Sequence, residues 1–140
     1  TVSLRYFNIY GPNAPVTGSY SSVSARFIEL RRDVKDLTVT GDGSQTRDFV
    51  HVRDVADANL CAAESAEVGR GDIVNIGSGV STSVLSLAKN IGGPIAYVPS
   101  REEIHDSLAD NTLAKKLLGW QPKVSIESGI AELKKLANLE

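Results

Sequence analysis

The opening stretch, Val2-Ser-Leu-Arg-Tyr-Phe-Asn-Ile-Tyr10, constrains the fold more than any other. β-Branched and aromatic residues fill it, its apolar positions are nearly continuous, and Gly11-Pro12 ends it. Such a run suits a strand covered on both faces in a parallel sheet, and parallel strands need crossover segments between them. The chain is therefore read as α/β, a small mixed sheet with helices. A strand that begins at the second residue leaves no room for a preceding turn, so the chain is expected to be cut from something longer.

The remaining pattern alternates. Residues 13–22 form a polar loop bearing Pro and Gly. Val23, Phe27, Leu30 and Val34 then recur at helical spacing, with Arg26, Arg31 and Arg32 around them. Leu37-Thr-Val-Thr40 reads as a short strand, Gly41-Asp-Gly43 as a turn, and Phe49 to Val52 as a second short strand. Asp54 is the expected N-cap of a helix running to about Glu67, whose rows of small residues invite close packing. Ile73-Val-Asn-Ile76 reads as a buried strand. Gly77-Ser-Gly79 is expected to turn it into a helix with Val84, Leu87, Ala88 and Ile91 on one face. Ile95 to Val98 follows as a strand, and the unit is most simply a right-handed βαβ crossover. After a charged loop at 99–107, Asp110 or Asn111 caps a short helix ended by Gly119. Ser125 caps a last helix with Ile126, Ile130, Leu133 and Ala137 as its stripe.

The totals exclude several functions. At 140 residues, one compact domain is expected, and 41% apolar with 23% charged residues is a soluble globular balance. A net charge of −2 gives no basic excess with which to neutralise a nucleic-acid backbone. No apolar run approaches the roughly 20 residues that cross a bilayer, and no signal peptide is visible. A single cysteine, Cys61, can make no internal disulfide, and in its small apolar run it is expected to be a buried, inert thiol. A reducing cytoplasmic setting is expected.

Chemistry concentrates between Thr40 and Asp54. Two glycines make a tight turn and Arg47 follows it, an arrangement that can present a fixed guanidinium to a phosphate. The Gly77-x-Gly79 turn lies where a dinucleotide fingerprint would, but its third glycine position is Thr82. It reads as a simple turn whose amides could still hold an anion. His51 and His105 are far apart with no cysteine cluster, so no metal site is expected, and His51 reads as a packed histidine. No G-x-S-x-G elbow occurs. The residues four beyond Tyr6, Tyr10, Tyr20 and Tyr97 are Tyr10, Ala14, Ser24 and Arg101, so the chain holds no Tyr-x-x-x-Lys acid/base pair. Asn8 is a polar side chain near the carboxyl end of an apolar strand, where open α/β sheets place their ligand crevice. It could equally satisfy its own turn.

Four stretches together resemble the nucleotide-sugar epimerases and dehydratases of the extended short-chain dehydrogenase/reductase class. They are Leu4-Arg-Tyr-Phe-Asn-Ile-Tyr-Gly-Pro12, Gly41-Asp-Gly-Ser-Gln-Thr-Arg-Asp-Phe-Val-His-Val52, Val74-Asn-Ile-Gly-Ser-Gly79, and Leu108-Ala-Asp110 leading to Leu118-Gly-Trp-Gln-Pro122. The likeness is greatest to the UDP-glucose 4-epimerase type, and it covers essentially the whole chain. It implies substrate-binding roles for Asn8 at the sugar diphosphate, Phe7 beside the sugar, and Arg47 on the diphosphate with Gln45 lining the same pocket. It further implies Arg101 as a second phosphate-contacting arginine and Glu103 near the ribose. The chain departs from the family pattern here, with Arg101-Glu-Glu103 one residue short of Arg-Pro-Gly-Glu or Arg-x-Gly-Asp.

The resemblance also implies what these residues do not supply. In such enzymes NAD takes a hydride from sugar C4 and returns it to the opposite face. The glycine-rich NAD loop and the Tyr-x-x-x-Lys pair precede the strand with which this sequence starts. Residues 1–12 are thus expected to be the last strand of a dinucleotide-binding domain. Residues 13–140 are expected to be the substrate-binding region, its helix at about 54–67 packing back on that domain. The expectation is a C-terminal half that binds a UDP-sugar, holds no NAD alone, has no catalytic residue of its own and is inactive by itself. It would self-associate or retain its companion half. A dehydratase fragment, and a non-catalytic nucleotide-sugar-binding module acting with a partner chain, are the alternatives.

Overall fold

The structure is a computed structural model, and it describes residues 1–18 and 21–139. Seven strands and five helices alternate along the described chain: β1 (Val2–Tyr6), β2 (Asn8–Tyr10), α1 (Val23–Arg32), β3 (Leu37–Thr40), β4 (Thr46–His51), α2 (Val52–Glu64), β5 (Asp72–Ile76), β6 (Ser81–Ser83), α3 (Val84–Ile91), β7 (Ile95–Val98), α4 (Thr112–Leu118) and α5 (Ile126–Leu136). The class is α/β. The strands form three small sheets: parallel β1-β5, parallel β3-β7, and mixed β2-β4-β6 in which β2 runs parallel and β6 antiparallel to β4.

The opening strand is not continuous. Its chain breaks at Phe7, whose amide donates to the Ile76 carbonyl at 3.0 Å. Before the break it pairs with β5, and after it with β4. Nor is β1 covered on both faces: Val2 and Leu4 pack inward while Ser3 and Arg5 are exposed, so polar residues mark a solvent face that the apolar run hides.

Strand β4 is the axis of the molecule. Successive strand residues point to opposite faces, and Phe49 enters one core while Val50 enters another. The first core joins Phe49 to Tyr10, Phe27, Leu37, Leu87, Ile91 and Ile130. The second joins Val50 to Val55, Ala58, Val74, Ile76 and Trp120. The indole N–H of Trp120 donates to the Asp54 carbonyl at 3.0 Å, which ties the corner after α4 to the first turn of α2.

Several local expectations change. Val34 does not continue the α1 stripe: it is 93% exposed with φ +55°, and the Lys35 amide donates to the Leu30 carbonyl at 2.9 Å. That is the closing bond of a helix C-terminus, made with a β-branched residue where glycine normally sits. Helix α2 begins at Val52 and ends at Glu64, with His51 as its cap: its Nδ1 accepts the Arg53 amide at 3.2 Å. Asp54 lies buried inside the first turn and accepts the Val124 amide at 3.0 Å. The expected crossover does not form, because β5 and β7 belong to different sheets. Short strand β6 separates the Gly77–Gly79 turn from α3.

Candidate functional site

A cavity of about 860 Å³ opens beside the Phe7 break. Phe7, Asn8, Gln45, Arg47, Arg101 and Glu103 all line it, although the chain delivers them from three separate segments. Strand β2 carries Asn8 opposite Phe49 of β4. The Asn8 side chain makes no hydrogen bond to another described residue, so it does not serve its own turn.

The glycine turn sets the second wall. Gly41 and Gly43 have φ of +61° and +75°, and a Cβ on Gly43 would lie 2.6 Å from Val39 Cγ1. Only glycine fits so tight a turn. The Asp42 carboxylate accepts the Ser44 amide at 2.9 Å, and Gln45 Nε2 donates to the Thr40 carbonyl at 3.2 Å. The turn thereby starts β4 with Arg47 facing the cavity.

Arg47 is held on all sides. Its NH1 donates to the carbonyls of Thr46 (2.8 Å) and His105 (3.0 Å), and its NH2 to Glu103 Oε2 at 2.9 Å. Glu103 Oε1 lies 3.7 Å from Arg101 Nε, so one carboxylate bridges both arginines. The loop that carries Arg101 and Glu103 is strapped to β4 just beyond them. The Thr46 amide donates to the His105 carbonyl (2.9 Å), the Ser107 amide to the Thr46 carbonyl (3.2 Å), and Thr46 Oγ1 to Asp106 Oδ1 (2.7 Å). Hydrogen bonds from His105 and Thr46 hold the Asp106 carboxyl below its usual range.

The sequence reading did not single out two further residues. Arg26 reaches the cavity from α1, one position before buried Phe27, and nothing in its local sequence marks it. Asp48 is fully buried between Arg47 and Phe49 and accepts the amides of Ser78, Gly79 and Ala109 as well as the Ser78 hydroxyl. A charged residue inside an apolar strand was its signal.

That arrangement decides the Gly77-x-Gly79 turn. Its amides do face an anion, and the anion is the chain's own Asp48. Gly77 admits no side chain, since a Cβ there would lie 2.6 Å from Asp48 Oδ2. With those amides filled and β6 following instead of a helix, this turn does not fit the phosphates of a dinucleotide cofactor.

His51 is fully buried and stacks edge-on against Tyr10 with ring centroids 5.1 Å apart. Its Nε2 lies 3.5 Å from Glu132 Oε2, and burial keeps the ring's pKa below the usual histidine value. Burial pushes the neighbouring Tyr10 phenol well above its ordinary range. Tyr10 belongs to the core and also lines the cavity, whereas His51 does not line it. Among the described residues no cluster of His, Cys, Asp and Glu comes together to hold a metal ion, and no helix is long and apolar enough to cross a membrane.

Residues 1–77 match the model of the NAD dependent epimerase/dehydratase family. The UDP-glucose 4-epimerase of Mycolicibacterium smegmatis is 39% identical over 133 residues, covering 89% of this chain and 41% of the relative. The UDP-N-acetyl-alpha-D-glucosaminuronate decarboxylase of Bacillus cytotoxicus is 38% identical, covering 92% of this chain and 43% of the relative. Among solved structures, UDP-glucuronic acid 4-epimerase from Bacillus cereus in complex with UDP-glucuronic acid and NAD superposes with a TM-score of 0.86 at 30% identity. The superposition covers 98% of this chain and 45% of that one. The chain thus spans about two fifths of the length of the curated relatives it matches.

Proposed function

Because the chain belongs to the NAD dependent epimerase/dehydratase family, we propose that it forms the nucleotide-sugar-binding part of an NAD-dependent sugar 4-epimerase of the UDP-glucose/UDP-galactose type. The observation that carries this reading is the single cavity into which Phe7, Asn8, Gln45, Arg47, Arg101 and Glu103 converge. Its size suits a ligand larger than a mononucleotide. Two guanidinium groups on one wall suit a diphosphate, which offers adjacent anionic oxygens to planar donor forks. Asn8 supplies an amide at the junction, and Phe7 an apolar surface for the sugar.

In this reading the hydride chemistry belongs to a companion dinucleotide-binding half that holds NAD and the acid/base pair. Residues 1–12 complete that half, and the exposed apolar side chains of Leu60 and Ile73, 63% and 54% exposed, are available to pack against it. Alone, the 140-residue polypeptide self-associates or retains its companion half, and it turns over no UDP-sugar; robust epimerase turnover by it overturns that part.

Calorimetric titration with UDP tests the binding role. Wild-type protein binds, and Arg47→Ala loses the binding; equal affinity in the two proteins defeats the reading. A second reading is a nucleotide-sugar decarboxylase or dehydratase, favoured by the near-equal identity of the Bacillus cytotoxicus relative. It shares the same diphosphate wall, and product analysis of the enzyme expressed from its complete reading frame separates the two. That frame, compared with the intact mass of the polypeptide, also tests a non-catalytic binding module acting with a partner chain.

A further inference from the structure

Arg47 and Arg101, two of the three arginines that line the cavity, converge on Glu103. Its Oε2 takes Arg47 NH2 at 2.9 Å and its Oε1 lies 3.7 Å from Arg101 Nε. The Arg47 and Glu103 side chains are only 14% and 24% exposed, so salt and water screen this pair less than a surface pair. The NH1 of Arg47 is already committed to two carbonyls, which leaves Nε and NH2 as its remaining donors for a ligand. Glu103 takes one of the two NH2 hydrogens and so sits on that remaining edge. A guanidinium edge accepts a carboxylate and a phosphate in the same geometry, so the two compete for one place.

We propose that Glu103 is an internal competitor for the phosphate position on Arg47, and that it determines how much anionic charge a ligand must bring to enter. The inference rests on the nucleotide-sugar reading of the cavity and adds a role opposite in sign to ribose contact. A ribose partner strengthens binding by its presence, whereas a competitor weakens it. The loop is built to let the carboxylate leave. Its strap to β4 begins at His105, and among the described residues no backbone hydrogen bond ties 101–104. Ile104, next to Glu103, is 74% exposed. Glu103 can therefore swing off Arg47 while the His105–Ser107 strap stays closed. Released, it remains near Arg101 and free to meet a hydroxyl-bearing part of the same ligand.

Inorganic pyrophosphate is the discriminating probe, because it has no ribose to lose. In calorimetric titrations, Glu103→Gln binds pyrophosphate about fivefold tighter than wild type, the gain from removing a partly buried competing ion pair. Glu102→Gln removes the same charge from the adjacent exposed position and stays within about twofold of wild type. Glu103→Ala changes affinity in the same direction as Glu103→Gln, which guards against an effect peculiar to the amide. An unchanged or weaker affinity in Glu103→Gln, an equal gain in Glu102→Gln, or no pyrophosphate binding by any of the proteins overturns the competitor role. UDP titration of the wild type separates the two claims. UDP binding without the pyrophosphate gain defeats only the role of Glu103, and loss of UDP binding altogether defeats the nucleotide-sugar reading beneath it.

Discussion

The Asp48 carboxylate accepts the Gly79 amide at 2.9 Å, across 31 positions of sequence. The same carboxylate takes the Ser78 amide and hydroxyl and the Ala109 amide, so one buried anion closes β4, the 77–79 turn and the segment before α4 into a single joint. Arg47 stands next to that joint, and the loop bearing Arg101 and Glu103 ends at it.

Asp48→Asn keeps the shape and replaces an acceptor oxygen by a donor group. At least one of the facing amides then loses its partner in a buried place. The expected loss is about 2–3 kcal/mol in urea unfolding, and a change under 0.5 kcal/mol contradicts the role given to Asp48.

Gly129→Ala is expected to reverse the usual sign of a helix substitution. Alanine normally favours a helix over glycine by about 1 kcal/mol. In α5, however, a Cβ at 129 would lie 2.7 Å from Cε2 and Cζ of the buried Tyr10 ring, whose hydroxyl donates to the Ser125 carbonyl at 3.1 Å. Crowding of this kind costs about 1–3 kcal/mol. Tyr10→Phe, which removes the oxygen nearest that Cβ, should restore part of the loss in a double-mutant cycle.

Val34→Gly is expected to stabilise. The residue closes α1 at φ +55° and buries nothing, being 93% exposed. Relief of a β-branched residue from the left-handed region is worth about 1 kcal/mol, read as a higher thermal midpoint. A lower midpoint contradicts this account.

The pH dependence carries the mark of His51. Burial lowers its folded pKa, with Glu132 opposing and Arg53 assisting. The unfolded chain therefore binds a proton below about pH 6.5 that the folded chain resists. Stability from this site is complete above that pH and declines as pH falls through it. His51→Asn keeps a capping side chain for Arg53 and removes the titration. Urea midpoints from pH 8 to 5 should then lose the slope below about 6.5, and an unchanged slope contradicts the assignment. The acidic groups with lowered values, among them Asp106 and Asp110, act in a separate window near and below their usual range.

What the sequence discloses here is local. The α3 face of Val84, Leu87, Ala88 and Ile91 is legible because helical spacing alone decides it, and all four are buried. Ser125 and Gly119 are legible because caps are short-range chemistry: Ser125 accepts the Ser128 amide at 3.2 Å, and Gly119 adopts φ +63°. The cavity wall was legible through resemblance, since nothing in the spacing of Asn8, Arg47 and Glu103 brings them together. The break at Phe7 was not legible, because an unbroken apolar run looks the same whether it serves one sheet or two. Asp54 was misread as a cap because a carboxylate before a helical run fits that role, and only tertiary structure supplies its actual donor, Val124. The same holds for Asp48, whose partners lie 30 or more positions away.

The sheet pairings have a kinetic consequence. Among the described residues, no two strands that follow one another in sequence are hydrogen-bonded neighbours: Val2 meets Asp72, Asn8 meets Phe49, and Leu37 meets Ile95. With no hairpin to nucleate on, the chain must close long loops before any ladder rewards it. Helices α3 and α5 can form early on local grounds, whereas the junction at Phe7 needs both β5 and β4 in place. The cavity is therefore among the last parts to assemble, and a nascent chain would expose it as two unpaired strand edges until then.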